Sequence, residues 1–164
     1  ALALAVDPAS KDIMERKPEK HKGGVFTKGM TWRVIYQGAM IGLLTLAAFI
    51  LGLSTEGVTP DEKVQIGQTM AFYVLALSEL VHIFNVRDNH KSLFKTKVFN
   101  NSKLIWAVLG SAALMFVILF TTGLRNLFSL ALLPAEHIVE IALLVFAPLV
   151  IVELFKLLKI NGKD

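Results

Sequence analysis

Between Lys63 and Arg87 lie 23 residues, VQIGQTMAFYVLALSELVHIFNV, whose only formal charge is Glu79. A helix of about 20 mostly apolar residues is long enough to cross a bilayer. An acid inside such a span is costly and marks a functional site by default. At about 100° per residue, Gln68, Ser78, Glu79, His82 and Asn85 fall within roughly 120° of one another. Ala71 lies in the same sector, and the opposite side is Phe, Val, Leu and Met. The pattern reads as one face toward protein or ions and one toward lipid. Buried acids also act as hydrogen-bonded glue between membrane helices, so spacing alone leaves ion or proton handling and packing both open. His82, one turn from Glu79, is within reach of a hydrogen bond to it, and reads more simply as a satisfied interior histidine.

Three further stretches repeat the signal. Val34 to Thr55 carries no charge over 22 residues, and Leu104 to Leu124 none over 21. His137 to Phe155 contains Glu140 and Glu153 near its two ends and Pro148 inside. Proline removes a backbone donor and kinks a helix. Over all 164 residues, 54% are hydrophobic and the mean hydropathy is +0.60, beyond the range of an ordinary soluble domain. The absence of cysteine excludes disulfides, thiolate metal sites and cysteine catalysis.

The expected fold is an all-α membrane protein with four transmembrane helices as two antiparallel hairpins. The expected spans are about 32–54, 64–87, 103–124 and 136–158, forming a domain over 29–164. Residues 1–28 are read as the end of a preceding helix plus a connecting loop. Ala1 to Val6 look like the cut end of an earlier apolar segment, so a fragment of a longer chain is expected. Asp7 to Lys28 is polar, with Pro8, Pro18 and a Gly23-Gly24 pair, and reads as a solvated connector or as a docking surface for a soluble domain. Gly38 and Gly42 form a small-xxx-small pair of the kind that lets helices approach closely. Gly57 and Pro60 are expected to break the helix between the first two spans. Trp32, Tyr36 and Trp106 suit membrane interfaces.

Charge sets the orientation. The connector, a loop at about 88–102 with its flanks, and the tail together carry 15 Lys or Arg, against only Lys63 and Arg125 on the other side. The positive-inside rule then puts both termini in the cytoplasm. It also accounts for the net charge of +4 without nucleic acid. With about 1.5 Å per residue, Glu79 lies about 12 Å along the helix from Arg87 and about 24 Å from Lys63. That is mid-depth, toward the cytoplasmic half, where a purely interfacial acid would not sit.

Two segments carry a family resemblance. ALALAVDPASKDIMERKP, with Asp12-Ile13-Met14-Glu15-Arg16 and Pro18, resembles the end of transmembrane helix six and the following loop of P-type cation-transporting ATPases, the calcium-pump branch in particular. TMAFYVLALSELVHIFNVRDNHKSLF, with Thr69-Met70-Ala71, Glu79 and Asn85, is similar to that family's helix eight and the loop after it. The resemblance covers essentially the whole chain and implies that the four spans are helices seven to ten of a ten-helix pump.

It implies further that Glu79 stands where reticulum-type pumps place a carboxylate ligand of one of two calcium sites. Other bacterial members carry a different residue there, so ion stoichiometry stays open. Carboxylate oxygen is a suitable hard ligand, but calcium takes 6–8 oxygens; the others would come from helices four, five and six. Ser78, His82 and Asn85 are possible neighbours of that site, and His82 departs from the reticulum pumps. Gly38 and Gly42 fall where helix seven packs on helix five, and Pro148 is a structural residue. Asp12, Glu15 and Arg16 lie in the loop that couples membrane to phosphorylation domain. The implied cofactors are calcium as transported ion and Mg-ATP in the parent, with none held by these residues alone. The implied partners are the remaining helices and cytoplasmic domains and the lipid of a bacterial cell membrane. The family's phosphorylated aspartate motif, nucleotide site and actuator loop are not in these residues, nor is a GxxxxGK[ST] loop; catalysis would belong to the parent. Two rival readings are a complete small four-span oligomeric carrier coupled to protons or cations, and a non-catalytic packing and assembly module.

Overall fold

The computed structural model describes residues 28–87 and 101–157. Asp12, Glu15 and Arg16, with the rest of the connector, lie outside the described residues, as do most of the basic loop and the tail. The chain forms α1 (Lys28–Leu53), α2 (Pro60–Arg87), α3 (Ser102–Phe120), a short α4 (Thr122–Leu127) and α5 (Ala135–Leu157). No strand occurs among the described residues. Within α1, α2, α3 and α5 lie four segments long and apolar enough to cross a membrane: Gly29–Leu53, Pro60–Val86, Ser102–Phe120 and Ala135–Lys156.

Local chemistry fixes the helix ends. Gly57 turns the α1–α2 hairpin at φ +75, a conformation that costs glycine little. The break expected at Gly57 and Pro60 falls over residues 54–59, and Pro60 itself opens α2. Its missing N–H would be unpaired at a first helical position anyway. Thr59 caps the same end reciprocally with Glu62: the Thr59 N–H donates to Glu62 Oε2 at 2.8 Å, and the Glu62 N–H to Thr59 Oγ1 at 3.3 Å. Asn101 caps α3 by accepting from the Leu104 N–H at 3.0 Å. The third apolar run is interrupted: Thr121 is extended at φ −95, ψ 111, and the chain resumes as α4.

Contacts between helices give their directions. Gln37 meets His82 and Gly52 meets Gly67, so α1 and α2 run antiparallel. Both pairs are equidistant from the turn between Thr59 and Pro60. The Tyr73 hydroxyl donates to Met115 O at 3.0 Å, tying α2 to α3. Ala131 N–H donates to Thr69 Oγ1 at 2.9 Å at one end of α2, and Asn85 Nδ2 to Pro148 O at 3.4 Å at the other. Helix α5 therefore runs parallel to α2. The four long helices alternate up and down, gathering Arg33, Lys103 and Lys156 at one end and Lys63, Arg125 and His137 at the other.

Helix α2 is the centre of the bundle, packed on α1, α3 and α5. Ala48, Ile66, Met70, Tyr73, Val74, Ile118, Leu119, Leu130, Leu133, Ile141 and Val145 form the core. The second hairpin is looser than the first. Between α3 and α5 lies an apolar cleft of about 220 Å³, lined by Tyr73, Leu77, Ala112, Phe116, Ile141 and Val145 among others. In lipid the hydrophobic effect does not drive helices together, and packing and interhelical hydrogen bonds do that work. Tyr73→Phe removes the bond to Met115 and is expected to lower stability by about 0.6 kcal/mol. Unfolding of the intact protein from mixed micelles, monitored by circular dichroism, measures it.

Candidate functional site

The polar sector of α2 divides into two stripes. Glu79 is exposed, with Gln68 on the same side. Phe72 and Leu75 lie between them, and Val86 follows, all three exposed. One side of α2 is thus left open by the other described helices, and Glu79 stands in it about two-thirds of the way along, toward the Arg87 end. Its carboxylate accepts no hydrogen bond from the described residues.

Ser78, His82 and Asn85 form the second stripe, spaced i, i+4, i+7, and all are buried. They turn toward α1 and α5 rather than toward the Glu79 side. His82 Nε2 lies 3.2 Å from Gln37 Oε1, and Asn85 donates to the carbonyl of buried Pro148. Ser78 Oγ, His82 Nδ1 and Asn85 Oδ1 are buried without a hydrogen-bond partner. Leaving such an atom unsatisfied costs about 1–3 kcal/mol, so the stripe is a polar seam inside an apolar bundle. The structure brings these residues to α1 and α5, and it does not bring any of them into hydrogen-bond contact with Glu79.

The small-residue pair makes no close helix contact within the bundle. A Cβ added at Gly38 or Gly42 meets nothing within 4 Å, and both glycines are exposed. The close approach within the bundle is at Gly52 and Gly67. A Cβ at Gly52 would overlap the Gly67 Cα and lie 2.6 Å from its N, and one at Gly67 would lie 2.8 Å from Phe49 O.

Sequence reasoning missed three features. Glu153 is buried and paired with Lys156, at 3.1 Å, and the Lys156 ammonium also donates to Asn85 O at 3.4 Å. Arg33, at the same end, is buried as well. At the opposite end, His137 bridges Thr55 Oγ1 and Glu140 Oε2, both at 2.8 Å. The i, i+3 spacings of Glu153 with Lys156 and of His137 with Glu140 were the available signals. No group of three or more His, Asp or Glu placed to hold a metal occurs among the described residues. A metal ion at Glu79 would need further ligands from outside them.

Four alternating apolar helices with an acid on an open face define a polytopic membrane module. The cation-transporting ATPase C-terminus family matches residues 1–158, and the chain belongs to that family. Calcium-transporting ATPase 1 of Bacillus cereus is 36% identical over 173 residues, covering 98% of this chain and 19% of its own length. The calcium-transporting ATPase of Bacillus subtilis is 35% identical over 87% of this chain and 16% of its own. A calcium-transporting ATPase of Listeria monocytogenes is 30% identical over 97% of this chain and 17% of its own. The chain thus spans under a fifth of the length of these relatives.

Proposed function

We propose that this chain is the C-terminal membrane domain of an ATP-driven calcium pump of a bacterial cell membrane. In that pump the bundle supports the transport helices, and Glu79 supplies one oxygen to a calcium site shared with helices outside this chain. Mg-ATP is consumed by cytoplasmic domains of the same parent, and the polar connector over residues 7–28, with Asp12, Glu15 and Arg16, meets them. Both ends of the bundle's chain, with the basic loop, face the cytoplasm in this reading, which the excess of Lys and Arg there supports.

The observation that carries this reading is the exposure of Glu79 inside the span of α2, about two-thirds of the way along the helix and about 12 Å from its Arg87 end. A carboxylate facing lipid there would be costly. Facing further helices, it is an incomplete set of hard oxygen ligands, which suits calcium once others join it. The exposed Gly38 and Gly42 fit the same arrangement, as a smooth strip on α1 for a close-packed neighbour. Ser78, His82 and Asn85 belong to the seam behind the site and fix how α2 sits against α1 and α5.

Vesicles containing the intact polypeptide test the proposal. ATP-dependent accumulation of radioactive calcium, carried by a polypeptide several times the 18.1 kDa of this chain, is the expected result. Ion flux through a polypeptide of about this chain's size, without ATP, would instead establish a small oligomeric carrier.

A further inference from the structure

The buried stripe of α2 carries a cost to stability. Ser78, His82 and Asn85 are 0%, 7% and 1% exposed, and each leaves one side-chain atom without a hydrogen-bond partner. Leucine there would avoid that cost, since replacing buried polar pairs by apolar groups of similar shape is often neutral or stabilising. Where buried polar groups are kept in spite of it, their best-attested use is to fix the register of one helix against another.

Helix α2 has need of such fixing. In lipid, turning an apolar face from protein to hydrocarbon gains or loses little, so apolar packing sets the rotation of a helix weakly. Thr69, which accepts from the Ala131 N–H, and Tyr73, which donates to Met115 O of α3, hold the part of α2 before Glu79. His82 and Asn85 hold the part after it, one and two turns beyond, and they do so on different sides. His82 Nε2 meets Gln37 Oε1 of α1 at 3.2 Å. The Gln37 amide donates to the Tyr36 hydroxyl, and the Tyr36 ring packs on Phe155 of α5 at 5.5 Å. Asn85 Nδ2 donates to Pro148 O of α5 at 3.4 Å, and its backbone O accepts from the Lys156 ammonium. Tethers to two different helices resist rotation about the axis of α2, which a single tether would permit.

We propose that His82 and Asn85 are positioning residues for Glu79. By pinning α2 to α1 and to α5, they fix the direction in which the open side of α2 presents its carboxylate. This role rests on the reading of Glu79 as an ion ligand. The leverage is large. A carboxylate about 6 Å from the helix axis moves about 2 Å when the helix turns by about 20°, close to a whole calcium–oxygen distance of about 2.3–2.6 Å. A shared site has no slack for that, because its ligands must be held to within about 0.5 Å. The seam thus lowers the stability of the bundle and raises the precision of the ion site.

Two variants of the intact protein test this, each cutting one tether. Gln37→Leu with His82→Leu removes both partners of the α1 tether, so neither side chain is stranded. Asn85→Leu removes the side-chain tether to α5, whose other partner is a backbone carbonyl inside a helix. Either variant decides the matter if the other gives no folded protein. The expected result is unchanged or higher stability on thermal unfolding. The apparent calcium affinity of ATP-driven transport weakens about tenfold, the lower end of what removing a group that orients a metal ligand costs. In the Glu79→Gln background the same replacements leave affinity within about twofold, since the carboxylate they position is gone. Unchanged affinity with Glu79 present, or an equal weakening in both backgrounds, overturns the positioning role and leaves Glu79 a ligand. Loss of folded protein in both variants also overturns it and makes the seam plain packing. Unchanged affinity in Glu79→Gln alone removes the ion-ligand reading, and the positioning role with it.

Discussion

In the intact protein, Glu79→Gln is expected to weaken the apparent calcium affinity of ATP-driven transport by at least about tenfold, the lower end of what losing even an outer-sphere metal contact costs. The amount of folded protein in the membrane should stay the same. The substitution keeps shape and removes charge. Glu79 is exposed in the bundle and accepts no hydrogen bond from the described residues, so the amide breaks no hydrogen bond that holds α2 to α1, α3 or α5. Its effect therefore reads the role of the carboxylate toward whatever lies beyond this chain. Calcium-concentration dependence of uptake in vesicles measures it. Unchanged affinity would remove Glu79 from the ion site and leave it a packing acid.

Gly52→Val is expected to be the most damaging substitution to the bundle itself. Any Cβ at position 52 collides with the backbone of Gly67, and backbone has no rotamer with which to retreat. Overpacking ordinarily costs about 1–3 kcal/mol, and occasionally more; here α1 and α2 must separate, taking the Gln37–His82 and Thr55–His137 contacts with them. The folded yield of Gly52→Val in membranes should fall severely, and that of Gly67→Val likewise. Gly42→Val makes a useful contrast, because position 42 is open within the bundle. A loss there would arise from a neighbour outside this chain. Size-exclusion chromatography of the three solubilised variants distinguishes these outcomes. A monodisperse Gly52→Val at normal yield would contradict the close crossing.

The number and type of the long helices were legible because crossing a bilayer demands long, mostly apolar runs, and the residues supply four of them, two without any charge. Which faces turn inward was much less legible. Leu43, Leu46 and Ile50 of α1 are exposed while Ile41 and Ala48 are buried, and nothing in their hydrophobicity separates the two sets. In a soluble helix polarity marks the outer face, whereas in lipid both faces are apolar. The polar residues of α2 did mark one sector, but adjacent positions are about 100° apart. Ser78 is therefore buried while Glu79 beside it is exposed. Gly38 and Gly42 stood out by their spacing, yet the helix crossing uses Gly52 and Gly67. Those two are far apart in sequence and become partners only once the turn at Thr59 and Pro60 sets the hairpin register. Pro60 marked the break between the two spans but not its exact edge, since proline both stops a helix that precedes it and starts one that follows it.

The central claim is that the open side of α2 is a protein interface and not a lipid-facing surface. Nitroxide labels at Leu75, beside Glu79 on that side, and at Leu143 on α5 test it directly in the intact protein in a bilayer. Both positions are exposed in the bundle, at 46% and 70%. The account predicts that collision with dissolved oxygen, which concentrates in hydrocarbon, is low at position 75 and high at position 143. Equally high collision rates at both would place Glu79 against lipid and contradict its role in a shared ion site.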